Sequence, residues 1–221
     1  MKQTNEQSVV IAAGSVRLQG TLGLPLKPGG VVLFAHGSGS GRFSPRNMFV
    51  ARTLREGNLA TLLIDLLEEG EAEDRRKVFD INLLADRLLT ATEWLAHRGE
   101  TAGLRLGYFG ASTGAGAALQ AAARSPASVG AVVSRGGRPD LAAAYLPDVM
   151  APTLLIVGGY DLPVIEMNQE ALALLTCPKE LVIVPGATHL FEERGTLEQV
   201  ADLALHWFQR HLNRPGFQHR L

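Results

Sequence analysis

Six apolar runs, separated by segments of helical periodicity, constrain this chain more than any other feature. They read VVLFAHG from Val31, LATLLIDLL from Leu59, LRLGYFG from Leu104, VGAVVSRGG from Val129, TLLIVGG from Thr153 and ELVIVPGA from Glu180. Unbroken apolar character suits a strand covered on both faces, where side chains pointing either way leave water. Between the runs, Ile81, Leu84, Leu88, Ala91 and Leu95 recur at helical spacing behind Asp80, a plausible N-cap. Residues 45–54, 115–123, 164–175 and 197–211 predict further helices. Strands alternating with helices predict an α/β fold, a mainly parallel twisted sheet with helices on both faces. Ahead of the first run, VVIAAGSVRLQGTLGLP divides at Gly14-Ser15 and predicts an antiparallel hairpin.

Residues 1–221 are expected to form a single domain, with 213–221 as a tail that frays or folds back. The stretch 137–152 is too short for a large lid domain. The charged run EAEDRRK, residues 71–77, reads as a solvated loop. A net charge of −1 gives no footprint for a polyanion, so nucleic acid is not an expected partner. The single cysteine, Cys177, excludes an intramolecular disulfide and suits a reducing compartment. The polar start MKQTNEQSVV does not read as a signal peptide. The longest uncharged stretch, between Arg105 and Arg124, contains four glycines besides Ser112, Thr113 and Gln120, a poor bilayer span. A cytoplasmic protein without a membrane partner is the expectation.

In an open parallel sheet, ligands bind beyond the C-terminal ends of the strands. Those ends read HGSGSGRFSPR, DLLEEG, GASTG, SRGGRPD, GGYD and GATH. Ser112, Asp161 and His189 each follow a strand, in the order Ser, Asp, His, with gaps of 49 and 28 residues. This is the order found in α/β-hydrolases. A serine hydroxyl needs a base to take its proton, histidine is suited to that near neutrality, and a carboxylate fixes the histidine tautomer. Each residue also has a plainer reading. Ser112 can N-cap the Ala-rich helix after it, and Asp161, before Leu162-Pro163, can do the same. Their joint position at one sheet edge favours a triad.

The N–H of Thr113 and that of Gly37 or Ser38 are the candidate oxyanion donors, since fixed backbone dipoles need no reorganisation as charge develops. His36 reads as a local hydrogen-bonding residue that holds its loop. His97, His206, His211 and His219 fall in helical or terminal segments. Arg42, Arg46, Arg135 and Arg138 follow strands at the same edge and are either paired with carboxylates or available to a substrate anion. Arg135, followed by two glycines, is the first candidate for substrate binding, with Arg42 and Arg46 beside it.

The segments AHGSGSGRFSPRN, GYFGASTGAGAAL, VVSRGGRPDLA, GGYD and PGATHLFEE resemble the dienelactone hydrolase family of α/β-hydrolases, over roughly residues 30–212. The similarity is closest to serine-containing members found joined to phosphoribosyltransferase-like domains. No segment of these 221 residues resembles a phosphoribosyltransferase. The resemblance implies a lidless eight-strand hydrolase fold with Ser112, Asp161 and His189 as its triad. The founding members use cysteine as nucleophile, so acyl transfer carries over more directly than the lactone substrate.

The expected activity is therefore hydrolysis of carboxylic esters, with thioesters and lactones as related substrates. The expected partner is a small-molecule ester, and a homodimer is compatible with the sequence. No metal or organic cofactor is expected. Two rivals remain: an idle hydrolase-like binding protein, and a nucleotide-binding oxidoreductase suggested by GASTGAG. The second lacks a Tyr-x-x-x-Lys pair, and its glycine motif does not follow the first strand.

Overall fold

The computed structural model describes residues 4–213. Two ten-residue strands, β1 (Thr4–Ala13) and β2 (Val16–Pro25), form the expected hairpin, with Ala13 opposite Val16 and Gly14 at a φ of 64°. The six apolar runs become β3 (Val31–Ala35), β4 (Ala60–Ile64), β5 (Leu106–Ala111), β6 (Val129–Arg135), β7 (Thr153–Gly158) and β8 (Lys179–Val184). All eight strands join one sheet in the order β1-β2-β4-β3-β5-β6-β7-β8, antiparallel across β1-β2 and β2-β4 and parallel elsewhere. The tail expected at 213–221 lies outside the described residues, apart from Asn213.

Helices cover both faces. On one side α4 (Ile81–His97) and α5 (Thr113–Arg124) pack on Val31, Leu33 and Ala35; on the other α1 (Pro45–Glu56) and α7 (Thr196–Leu212) pack on Val32 and Phe34. Alternate residues of β3 thus enter two different cores, which explains the lack of polar alternation in its sequence. Helix α6 (Leu162–Leu174) follows β7, and a 3-10 segment at Pro139–Asp148 bridges β6 to β7 with no room for a lid. Strand β8 departs from the both-faces expectation: it is the sheet edge, and Lys179 and Glu180 are exposed there. Charged residues suit such an edge because they discourage pairing with another chain.

Helix α4 begins where expected, with the Asp80 carboxylate accepting from the Leu83 N–H at 3.0 Å. Its buried stripe comprises Ile81, Leu84, Leu88, Ala91 and Leu95; each large member stabilises by about 1.5–3 kcal/mol through removal from water. Helix α5 is instead built from small residues, because it crosses the centre of the sheet. A β-carbon on Gly116 would lie 2.9 Å from the Arg138 carbonyl oxygen.

The run 71–77 is not a plain solvated loop. It contributes to two short helices, α2 (Glu69–Ala72) and α3 (Arg75–Val78), the latter capped by Asp74. Glu71 receives two hydrogen bonds from the buried Arg87 guanidinium, at 2.6 and 2.8 Å, and one from Lys77 at 3.0 Å. Arg87 also donates to the Leu66 carbonyl at 2.6 Å. Charge density alone suggested solvent; the deciding partner lies sixteen residues away on α4. The Arg87 hydrogen bonds hold the Glu71 carboxyl down to about 2 from 4.5. Because the folded value is depressed, this stabilisation is fully present above about pH 4.5 and is lost as pH falls toward 2. Glu71→Gln is expected to cost about 2 kcal/mol near neutrality, less than a fully buried pair would. Urea unfolding from pH 7 to pH 2.5 checks this: the gap between variant and wild type should narrow steadily on acidification.

Candidate active site

The turn from β5 into α5 places Ser112 at φ 51° and ψ −123°, a conformation that L-residues rarely adopt. The chain holds it there by close backbone approach. A β-carbon on Gly110 would meet the Ala115 Cα at 2.4 Å, and one on Gly114 would meet the Ala35 carbonyl oxygen at 2.2 Å. The Ser112 N–H donates to the Arg135 carbonyl at 3.3 Å, and the Ser112 carbonyl accepts from the Ala115 and Arg138 N–H groups. Gly114→Ala is expected to cost about 3 kcal/mol, because the obstructing atoms are backbone and cannot rotate away. Its denaturation midpoint should fall accordingly.

Asp161 and His189 come from the loops after β7 and β8. Asp161 Oδ2 and His189 Nδ1 are 2.6 Å apart, so the Nδ1–H donates to the carboxylate and the Nε2 lone pair is left available. Neither Ser112 nor Asp161 acts as a side-chain cap, although both stand at N-cap positions. The plainer reading of each residue is therefore absent from the geometry. Gly136, next to Arg135, brings its backbone against the imidazole: a β-carbon there would lie 3.5 Å from His189 Nδ1 and Cε1. Asn168 on α6 fixes this turn by donating to the Gly137 carbonyl at 3.1 Å. Sequence reading missed Asn168, since a buried asparagine within a helix gives no local signal.

The loop after β3 reaches the same corner. Gly37 lies so near Ser112 that a β-carbon on it would be 2.9 Å from the Ser112 Cβ. The Ser38 N–H donates to Thr113 Oγ1 at 3.1 Å, tying this loop to the residue after the serine. The Thr113 N–H belongs to the first turn of α5, where backbone donors have no helical partner. His36 Nε2 accepts from the Leu66 N–H at 3.0 Å and its Nδ1 donates to the Gly37 carbonyl at 3.0 Å. Both ring nitrogens are committed, and burial lowers its pKa, so it stays neutral and holds the loop. His97 and His206 bond to carbonyls of their own helices, and His211 packs against Trp207 with the two rings tilted. His219 lies outside the described residues.

A cavity of about 570 Å³ opens beside this corner, lined by Gly37, Ser38, Thr113, Leu67, Val78 and Leu84 among others. Ser112 and His189 are not among its lining residues. Three of the four strand-end arginines are paired: Arg42 with Asp65, Arg46 with Glu192 at 3.2 Å, and Arg138 with Asp140 at 2.7 Å. Arg135 has no carboxylate partner among the described residues, and its Nε and Nη1 are buried without a hydrogen bond.

Comparison with known proteins adds to this geometry. The dienelactone hydrolase family model matches residues 28–213. The chain belongs to the dienelactone hydrolase family. A dienelactone hydrolase from Anabaena variabilis ATCC 29413, solved by crystallography, is 58% identical with a TM-score of 0.93, covering 95% of this chain and 99% of that one. Two curated proteins from strains of Mycobacterium tuberculosis, each named "Putative phosphoribosyl transferase", are 58% identical over 211 residues. The match takes in 96% of this chain but 48% of theirs, so the chain spans about half the length of those relatives. Est1E from Butyrivibrio proteoclasticus, at 16% identity and a TM-score of 0.79 over 92% of this chain and 98% of its own, shares the fold. Among the described residues of this family member, no helix is long and apolar enough to cross a membrane.

Proposed function

We propose that this family member is a serine hydrolase that cleaves carboxylic esters through an acyl-enzyme on Ser112. The observation that carries the reading is the 2.6 Å Asp161–His189 pair on the loops after β7 and β8, at the same end of the sheet as a serine held in a strained turn after β5. Membership of a hydrolase family supports the reaction class. The Anabaena variabilis relative, matched over 99% of its length, carries the dienelactone hydrolase name for a chain of this extent. The "phosphoribosyl transferase" name belongs to proteins of which this chain matches only about half.

In the first step His189 Nε2 takes the Ser112 proton as Oγ attacks the ester carbonyl. Asp161 keeps the proton on Nδ1 and stabilises the imidazolium that forms. The Thr113 N–H, together with that of Gly37 or Ser38, receives the developing oxyanion; Thr113 Oγ1 occupies the Ser38 N–H in the resting geometry. His189 then gives its proton to the departing alcohol. Water, deprotonated by the same nitrogen, releases the acid and restores the serine. The adjoining cavity accommodates one arm of a small-molecule ester, with thioesters and lactones open to the same attack. A fluorophosphonate probe followed by peptide mass spectrometry tests the reading: the label should sit on Ser112. Labelling elsewhere, or none, would overturn it.

A further inference from the structure

Arg135 is 8% exposed, and its Nε and Nη1 are buried with no acceptor among the described residues. Alternation along β6 directs it to the face shared by Ala131 and Val133, which pack with Val50 of α1 and Val200 of α7. The charge that bears on it there is not an acid but Arg46, in the first turn of α1. Arg46 has a buried, unbonded Nε of its own. Burial and then Arg46 push the Arg135 pKa down to about 10, so the group remains a cation at neutral pH. A buried cation beside a second cation is a costly arrangement for a folded protein to hold. The described residues supply no anion to stabilise it.

The position of this gap points to substrate. The Arg135 carbonyl accepts from the Ser112 N–H, and the next residue, Gly136, lies against the His189 ring. Glu192, the partner of Arg46, stands three residues after His189 and is largely exposed, with a single 3.2 Å contact. None of the cavity lining near Gly37 comes from β6 or from the His189 loop. The cavity and the arginine pair are thus separate features, and the Arg135 backbone is what joins the pair to the Ser112 turn.

We propose that Arg135 and Arg46 bind a doubly charged oxyanion, a phosphate monoester group carried by the ester substrate, beside the triad. This rests on the serine-hydrolase reading for its reaction but not for its binding. A single carboxylate offers two oxygens and one negative charge. Two guanidinium groups with three buried, unbonded nitrogens, which carry four N–H bonds between them, suit the three terminal oxygens and about two negative charges of a phosphate monoester. Arginine suits the task because its planar donors hold an oxyanion in fixed geometry.

Two measurements decide it. The first compares kcat/KM for p-nitrophenyl esters of equal acyl length ending in methyl, carboxylate or phosphonate. The phosphonate ester should exceed the neutral one by about ten- to a hundredfold, with the carboxylate between them. In Arg135→Gln, and more weakly in Arg46→Gln, that ratio should collapse toward one. The second follows melting temperature in Ser112→Ala with added inorganic phosphate. Phosphate should raise it, and Arg135→Gln should remove the rise while leaving the unliganded protein as stable or more so, since a buried unpaired charge has gone. Equal rates for the three esters, a carboxylate matching the phosphonate, or a phosphate shift that survives Arg135→Gln would each overturn the proposal. Failure to hydrolyse any ester would instead end the hydrolase reading, and the phosphate shift would still decide the binding site.

Discussion

Ser112→Ala is expected to remove hydrolysis of p-nitrophenyl acetate, lowering kcat by about 10⁵- to 10⁶-fold while the protein stays folded. The size follows from the chemistry, since no acyl-enzyme can form without Oγ. Stability should be retained because the turn is held by Gly110, Gly114 and the Ser112 backbone, not by the hydroxyl. Alanine at φ 51° is no more strained than the serine it replaces. Circular dichroism and a burst-phase assay are the measurements. Turnover within tenfold of wild type would end the Ser112 assignment.

His189→Ala should cost nearly as much as Ser112→Ala, because triad members act as one unit. Asp161→Asn should lower the rate by about 10⁴-fold, since an amide no longer selects the tautomer with its proton on Nδ1. The double variant Ser112→Ala/His189→Ala should be hardly worse than either single one. Near-additive losses would argue that the serine and histidine work independently. His36→Ala offers the internal contrast. Both nitrogens of that ring are already bonded, to Leu66 and Gly37, so its loss should act through loop position and be far milder. A larger loss at His36 than at His189 would mean that the base is wrongly assigned.

Much of this was legible in the sequence because the signals were local. An unbroken run such as VVLFA can only bury both its faces, and Asp80 ahead of the Ile81 stripe marks a helix start without outside help. Ser112, Asp161 and His189 became candidates because each lies in the segment that follows such a run. What could not be read depended on partners remote in sequence. Glu71 looked solvated until Arg87 met it from α4, and β8 looked interior because an edge is defined by the absence of a neighbour. The arginines at the strand ends were indistinguishable by composition. Asp65, Glu192 and Asp140 pair with three of them, and only the fold reveals that Arg135 has no carboxylate partner among the described residues.

The strand order has a further consequence, for how the machinery comes into being. Strands β5 to β8 lie side by side in the order they are made, and Ser112, Asp161 and His189 all hang from that half. The Gly37–Ser38 loop hangs from β3, which pairs directly with β5 although β4 comes between them in the chain. The C-terminal half of the sheet therefore contains the three residues proposed to move protons but not the loop that, with Thr113, would receive the oxyanion. An intermediate with only those four strands assembled would be nucleophilic and poorly catalytic. On the proposed reading, full turnover requires that the first-made and last-made halves have met.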